Sequence, residues 1–242
     1  MDFDETFLEH SFPITCYDNF YKDPDTIREF ALTLDYTNDG GFYPGFRTKC
    51  LSSIAENFYE ASIFKLLSVF GLFDESSTSW EVHSHFQKTW AFSEDPNSIL
   101  NKGWIHADPK TILAAVIYLD PNPNNDSGTS MYTLTDNDFT SEYSDDRMSE
   151  IRYDVLRSTT TCDIDSGKHY EKCLINNNKH FEKTLEVKNC YNRAIMYSGY
   201  QFHGQSSIYN KSDFRLTQIF FVKDLNTPVN NIPRWRCNNY AL

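Results

Sequence analysis

His106-Ala107-Asp108 stands just ahead of the apolar run Thr111-Ile112-Leu113-Ala114-Ala115-Val116-Ile117-Tyr118-Leu119. The run reads as a strand, and period two puts Ile112, Ala114, Val116 and Tyr118 on one of its faces. Positions i and i+2 of an extended segment point the same way, so His106 and Asp108 can converge on one point. A second apolar run, Leu216 to Val222, begins right after Arg215, and His203 lies twelve residues before that arginine. On this later strand Arg215, Thr217, Ile219 and Phe221 share a face.

The flanks decide the class. Phe12 to Tyr17 reads as a strand. Asp23-Pro24 opens a helix, with Asp23 as N-cap and Pro24 at the first helical position. Ile27, Phe30, Ala31 and Leu34 form its buried stripe. A second helix is expected from Ser53, where Ser53 and Glu56 make a capping box. It should carry Phe58, Ala61 and Leu66 inward and stop at Gly71. From Trp80 onward the texture is short, β-branched and aromatic, with candidate strands at 79–92, 111–119, 129–134, 191–197 and 214–223. Several turn-bounded strands after two helices predict a mainly β chain (α+β), a sandwich or jelly roll with helices packed on one face. Pro121 to Gly128 is a turn by composition. Residues 135–190 are polar and charge-rich, with a weakly helical piece near 144–157. They read as an insertion acting as a lid or binding loop.

With 242 residues and no Pro/Ser/Gly-rich linker, one domain over 1–242 is expected. The net charge of −12 repels phosphate backbones, and no basic patch offsets it, so nucleic acid is not an expected partner. Six cysteines without C-x-x-C spacing are expected as free thiols in a reducing cytoplasm. The acidic start, Met-Asp-Phe-Asp-Glu, does not read as a secretory signal, and no apolar stretch reaches membrane-spanning length.

Two imidazoles and one carboxylate are a ligand set that holds iron and leaves coordination positions open. His106, Asp108 and the distant His203 are the candidates. An H-x-D dipeptide alone also occurs by chance, and a lone histidine is usually only a polar residue. Arg215 is aimed inward among apolar neighbours, where an unpaired charge is costly. A dicarboxylate ligand would satisfy it with a charge-assisted pair; a protein Asp or Glu, or exposure at the strand's mouth, would do so too. Tyr118, if buried, needs a polar partner. His83 and His85 share one side of a strand whose core side is Val82 and Phe86, and read as a polar edge rather than a second metal site. Tyr43-Pro44-Gly45-Phe46-Arg47 reads as a structured turn; if it lies near the mouth of a site, Tyr43 or Arg47 can touch substrate. Arg193 is expected in a structural ion pair. Glu142, Asp145, Asp146 and Glu150 form a solvated face, and Trp80, Trp90, Trp104 and Trp235 are packing residues.

In their order and spacing several motifs resemble the Fe(II)/2-oxoglutarate-dependent oxygenases, most of all the prolyl-hydroxylase-like branch. They are His106-Ala107-Asp108, Ala114 to Asp120, Ser127 to Tyr132, Asn192 to Tyr197, Phe202-His203-Gly204 and Arg215-Leu216-Thr217. Asp18-Asn19-Phe20-Tyr21, Asp23-Pro24-Asp25 and Tyr43 to Thr48 look like a small uncharacterised subgroup found in bacteria and phages. The resemblance covers about 80–222, interrupted by 135–190.

It implies a double-stranded β-helix (jelly-roll, cupin-like) core. It makes His106, Asp108 and His203 the iron ligands. It implies that Arg215 pairs with the distal carboxylate of 2-oxoglutarate, that Tyr118 bonds the same carboxylate, and that Thr217 or Thr129 assists. The implied cofactors are Fe(II), 2-oxoglutarate as co-substrate and O2, with ascorbate in support. The implied reaction hydroxylates a C–H bond of a protein side chain or small metabolite while 2-oxoglutarate becomes succinate. The setting would be a cytoplasm, that of a host cell if the gene is phage-borne. Two departures stand out: the His203–Arg215 gap is slightly long, and the insertion replaces a short connection. A silent jelly-roll interaction module, or a cupin-like metalloenzyme that does not use 2-oxoglutarate, are the other readings.

Overall fold

The computed structural model describes residues 14–37, 43–69, 77–108, 110–135, 164–210 and 213–227. In chain order the elements are β1 (Thr15–Tyr17), α1 (Pro24–Thr33), β2 (Tyr36–Thr37), β3 (Phe46–Thr48), α2 (Leu51–Ile54), α3 (Glu56–Val69), β4 (Ser79–Thr89) and β5 (Leu113–Tyr118). There follow β6 (Thr129–Leu134), α4 (Ile164–Asn178), β7 (Phe181–Val187), β8 (Ala194–Ser198), β9 (His203–Gln205) and β10 (Arg215–Asn226).

Two antiparallel sheets form. The larger runs β1-β8-β5-β10-β4-β3-β2 and the smaller β7-β6-β9. Strand alternation sorts the large sheet's side chains. Leu113, Ala115 and Ile117 of β5, with Leu216, Phe220 and Val222 of β10, point outward into a core shared with the N-terminal helices. That core holds Phe20, Ala31, Leu51, Ile63, Leu66 and Leu67. The opposite face of β5, Ala114, Val116 and Tyr118, packs instead with Ile195 and Tyr197 of β8 and with Met131 and Val187 of the small sheet. The candidate site lies between these two layers. Ile112 does not follow the expected alternation; it precedes β5 and packs toward the helical core.

α1 starts as its sequence dictates: Asp23 accepts from the Thr26 N–H, and Pro24 leads the first turn. The second helical region differs from expectation. It begins at Leu51 and breaks at Ala55, where φ is −156°. Ser53 therefore lies inside a helix and donates its hydroxyl to the Cys50 carbonyl, so no capping box forms. The buried face of α3 is Ser62, Ile63, Leu66 and Leu67, and Ala61 is exposed. Gly71 and the 144–157 piece lie outside the described residues.

The stretch 135–190 also differs. Its described end supplies α4 and β7, and β7 pairs with β6 from Thr129↔Val187 to Leu134↔Phe181. Alternating charge along Phe181-Glu182-Lys183-Thr184-Leu185-Glu186-Val187 hid this strand. It is an edge strand, and only Val187 at its end is buried.

Candidate metal centre

β9 is three residues long, but its register is what assembles the cluster. The His106 N–H donates to the His203 carbonyl at 3.0 Å and the His203 N–H returns the bond to His106 at 2.8 Å. Residues so paired project side chains to the same face, and the two ring centroids are 4.5 Å apart. Asp108 is held by its own N–H, which donates to the Gly199 carbonyl at 2.6 Å. One donor atom from each of His106, Asp108 and His203 lies within 4.8 Å of the others. Among them, His203 Nε2 is 3.5 Å from Asp108 Oδ2 and His106 Nε2 is 3.9 Å from Asp108 Oδ1. Two atoms bound to one ion at about 2.1 Å are at most about 4.2 Å apart, so both separations suit a shared cation.

Protonation fits as well. His106 Nδ1 lies 2.8 Å from the Trp104 carbonyl and His203 Nδ1 lies 2.8 Å from the Gln201 carbonyl. A carbonyl only accepts, so each ring carries a proton on Nδ1, and Nε2 is the ring atom that faces Asp108. Burial works against charge on Asp108. The His203 ring, then the fields of His203, His106 and Lys223, outweigh it and hold its pKa at about 2. The carboxylate is an anion at neutral pH.

The support around the cluster was not foreseen. The His203 ring packs against Tyr197 at 4.7 Å. Gly199 passes so close to the Asp108 loop that a Cβ there would meet the Thr111 carbonyl oxygen at 1.9 Å. Two amides at the end of α4 hold the chain leading to His106. Asn177 donates to the Ile105 carbonyl, while Asn178 accepts from the Ile105 N–H and donates to the Gly103 carbonyl. The triplet Asn176-Asn177-Asn178 was the available signal, set in a stretch that reads as loop.

A cavity of about 350 Å³ opens beside the cluster, and Thr129, Arg215 and Thr217 line it. Arg215 is 3% exposed and its Nε has no hydrogen-bond partner. Among the described residues no carboxylate forms an ion pair with it. Burial lowers its pKa, with Tyr118, Asp120 and Tyr197 as offsetting neighbours. Tyr118 is fully buried behind the lining, with its hydroxyl 2.8 Å from Thr129 Oγ1 and its ring 5.3 Å from the Arg215 guanidinium carbon.

The other sequence candidates fall as follows. Tyr43 and Arg47 line the same cavity. Arg193 forms a two-pronged ion pair with Asp18. His83 is exposed near Glu81, and His85 Nδ1 meets the Thr48 carbonyl. Trp80, Trp90 and Trp104 pack against other apolar groups. Glu142, Asp145, Asp146, Glu150 and Trp235 lie outside the described residues.

The class defined so far is an antiparallel two-sheet protein with a His-Asp-His cluster beside a buried arginine. The chain belongs to the family described as a family of unknown function, DUF6445, which matches residues 4–216. No curated protein matches it. Its fold is shared with HygX from Streptomyces hygroscopicus, in a structure with nickel, 2-oxoglutarate and hygromycin B bound. The likeness has a TM-score of 0.53 at 10% identity, over 93% of this chain and 87% of HygX. AviO1 from Streptomyces viridochromogenes Tue57 matches with a TM-score of 0.48 at 10% identity, over 93% of this chain and 96% of its own. An oxidoreductase of the 2OG-Fe(II) oxygenase family from Burkholderia pseudomallei matches with a TM-score of 0.41 at 7% identity, over 86% and 83%.

Proposed function

We propose that the chain is an Fe(II)- and 2-oxoglutarate-dependent oxygenase of the prolyl-hydroxylase-like branch. Its two sheets are then the halves of a double-stranded β-helix in a single domain over 1–242. The observation that carries this is the pairing of two features in one cavity: a two-histidine, one-carboxylate cluster, and the buried Arg215 with no carboxylate partner among the described residues. A buried guanidinium without a counter-charge is costly, and a dicarboxylate co-substrate removes that cost with a planar, two-point pair. The HygX fold, with 2-oxoglutarate and a metal in its own site, supports the assignment at the level of architecture.

In this reading His106, Asp108 and His203 hold the iron. The Trp104 and Gln201 carbonyls fix the imidazole tautomers. Arg215 grips the distal carboxylate, with Thr217 and Thr129 beside it. Tyr118 acts through Thr129 and through its ring beneath Arg215. An iron there supplies activation of O2 coupled to conversion of 2-oxoglutarate to succinate and CO2, with one oxygen atom entering a substrate C–H bond. The chain positions the reactants and excludes water: Ala114 leaves space, and Ile219 and Phe221 line the cavity with apolar surface. The four free cysteines of the described residues suit a reducing cytoplasm.

Purified protein given Fe(II), ascorbate and 2-oxoglutarate should form succinate slowly without added substrate. Absence of both metal and 2-oxoglutarate binding in a thermal-shift titration overturns the reading.

A further inference from the structure

We propose that Tyr197 is a second anchor for the co-substrate: its hydroxyl donates to the oxo-acid end of 2-oxoglutarate, beside the His-Asp-His cluster, while Arg215 holds the other end. This rests on the oxygenase reading and adds a binding residue that the sequence did not single out.

Other buried and half-buried tyrosines bond their hydroxyls within the chain. Tyr21 donates to Gln218 Oε1, Tyr36 to the Ala31 carbonyl and Tyr59 to the Val82 carbonyl, and Tyr118 lies 2.8 Å from Thr129 Oγ1. Tyr197 is only 4% exposed, yet its hydroxyl makes no hydrogen bond to any described residue. Ala114, Met131, Val187 and Ile195 surround it with apolar groups. The neighbouring His203 ring has both nitrogens committed, Nδ1 at the Gln201 carbonyl and Nε2 facing Asp108. A phenol left unpaired away from water is costly. Tyr197 lines the cavity, so the partner of its hydroxyl is a molecule bound there.

Its place on the sheet indicates which end of that molecule it meets. Tyr197 of β8 stands opposite Ala114 of β5, and its ring centroid is 4.7 Å from that of His203. Thr217 stands opposite Tyr118, four residues further along β5, and Arg215 lies beyond it. Four residues of strand span about 13 Å, so Tyr197 rises from the metal's end of the cavity and Arg215 from the opposite end. Burial, then Asp108 and Tyr118, push the Tyr197 pKa well above the ordinary tyrosine value, against the pull of Arg215. The hydroxyl thus feels both the carboxylate of the cluster and the guanidinium. A diacid with its distal carboxylate on Arg215 and its oxo-acid group at the cluster passes this phenol, and an oxygen of the oxo-acid group accepts from it.

The two anchors do different things. Arg215 offers a planar fork that matches a carboxylate edge. Tyr197 offers one O–H, which fixes how the bound chain is turned about its length. Between them the cavity is lined by Ala114, Val116 and Ile219, with Val116 and Ile219 opposite one another, and none of these side chains carries a polar atom. Donors at both ends of an apolar slot set the length and the orientation of the anion it takes. A ligand without an acceptor at the cluster end leaves the phenol unpaired and binds less tightly.

The test compares wild type with Tyr197→Phe, which removes only the hydroxyl and keeps the ring against His203. In protein loaded with Mn(II), the calorimetric affinity for 2-oxoglutarate should fall about tenfold, the scale of one hydrogen bond to a charged acceptor. Without ligand the variant should melt at the wild-type temperature or above it, because an unpaired hydroxyl has left the interior. Its upshift on adding 2-oxoglutarate should be smaller. In anaerobic Fe(II) protein saturated with 2-oxoglutarate, the visible absorption of the metal–oxo-acid chelate should shift in Tyr197→Phe. It should stay in place in Arg215→Met, which acts at the far end of the ligand. Unchanged 2-oxoglutarate affinity in Tyr197→Phe, or an unmoved band, overturns the proposal, while wild-type binding keeps the oxygenase reading. A wild type that binds Mn(II) but no 2-oxoglutarate overturns both.

Discussion

His106 and His203 exchange both backbone hydrogen bonds across a single bridge, so the two rings face each other 4.5 Å apart without any help from a long ladder. One register step would send either ring to the other face of its strand. The cluster therefore depends on what holds these two short segments: the Asn177 and Asn178 amides on one side, and the β6–β9 pairing, Met131↔His203, on the other.

Asp108→Ala and His203→Ala should each abolish stoichiometric binding of Fe(II) or Mn(II), measured by metal content after gel filtration, and with it succinate formation. Metal binding to the folded state alone raises the melting temperature, so the wild-type upshift on adding Mn(II) should vanish in both variants. An upshift that persists in His203→Ala removes that histidine from the ligand set.

Arg215→Met separates binding from stability. A guanidinium buried without a described carboxylate partner is a burden on the folded state, as its burial-lowered pKa indicates. An apolar side chain of similar length should leave the melting temperature unchanged or raise it. The same change should raise the 2-oxoglutarate concentration needed for half-maximal turnover by tenfold or more. A collapse of stability with unaltered 2-oxoglutarate dependence would mean that Arg215 is structural.

Gly199→Ala should damage the metal centre from outside it. Its Cβ would overlap the Thr111 carbonyl, and Gly199 is also the acceptor that fixes Asp108. Relief requires backbone movement, at a cost of about 2 kcal/mol. Denaturant midpoints should fall, and Mn(II) affinity should fall further than in a surface control such as Lys179→Ala.

Asp120 gives a pH dependence of defined sign. It is fully buried, and burial raises its pKa to about 6 despite the Leu216 N–H, Arg215, Arg28 and Asn210. The folded value lies above the unfolded value of about 3.9, so the folded chain holds this proton more tightly. The stability it contributes is full below about pH 4 and is lost as pH rises through about 6, on the order of 2–3 kcal/mol. Asp120→Asn stays neutral throughout. The stability difference between variant and wild type should shift toward the variant by that amount between pH 4 and 7, and parallel profiles would falsify the raised pKa.

Much of the fold was legible because it rests on local patterns. Alternation placed β4, β5, β6, β8 and β10, and Asp23-Pro24 placed α1. The failures share one cause, since tertiary contacts overrode local signals. Ser53 looked like a cap, yet the helix starts at Leu51, where burial of that leucine decides the phase. β7 carries almost no apolar period because it is an edge strand, so its pairing with β6 could not be read from its residues. At the site, His106, Asp108 and His203 stood out by residue type, and Arg215 by its place on an apolar strand. Gly199 behind them matters through backbone proximity, which leaves no mark in a linear pattern. Tyr118 was expected to bond a ligand carboxylate, and its hydroxyl lies 2.8 Å from Thr129 Oγ1, a residue that lines the cavity.

β10 sits between β4 and β5 yet is the last described strand in chain order, and it is 12 residues long. During synthesis β4 and β5 must wait, each with an unpaired flank, until residues 215–226 leave the ribosome. Growth of the nascent chain thus delivers the guanidinium and the sheet's central seam together, at a late moment. Such long-range closure is slow, and unpaired strand flanks invite pairing with other chains. A polypeptide interrupted before Arg215 should accumulate as aggregate, a demand on chaperones that the finished molecule no longer makes.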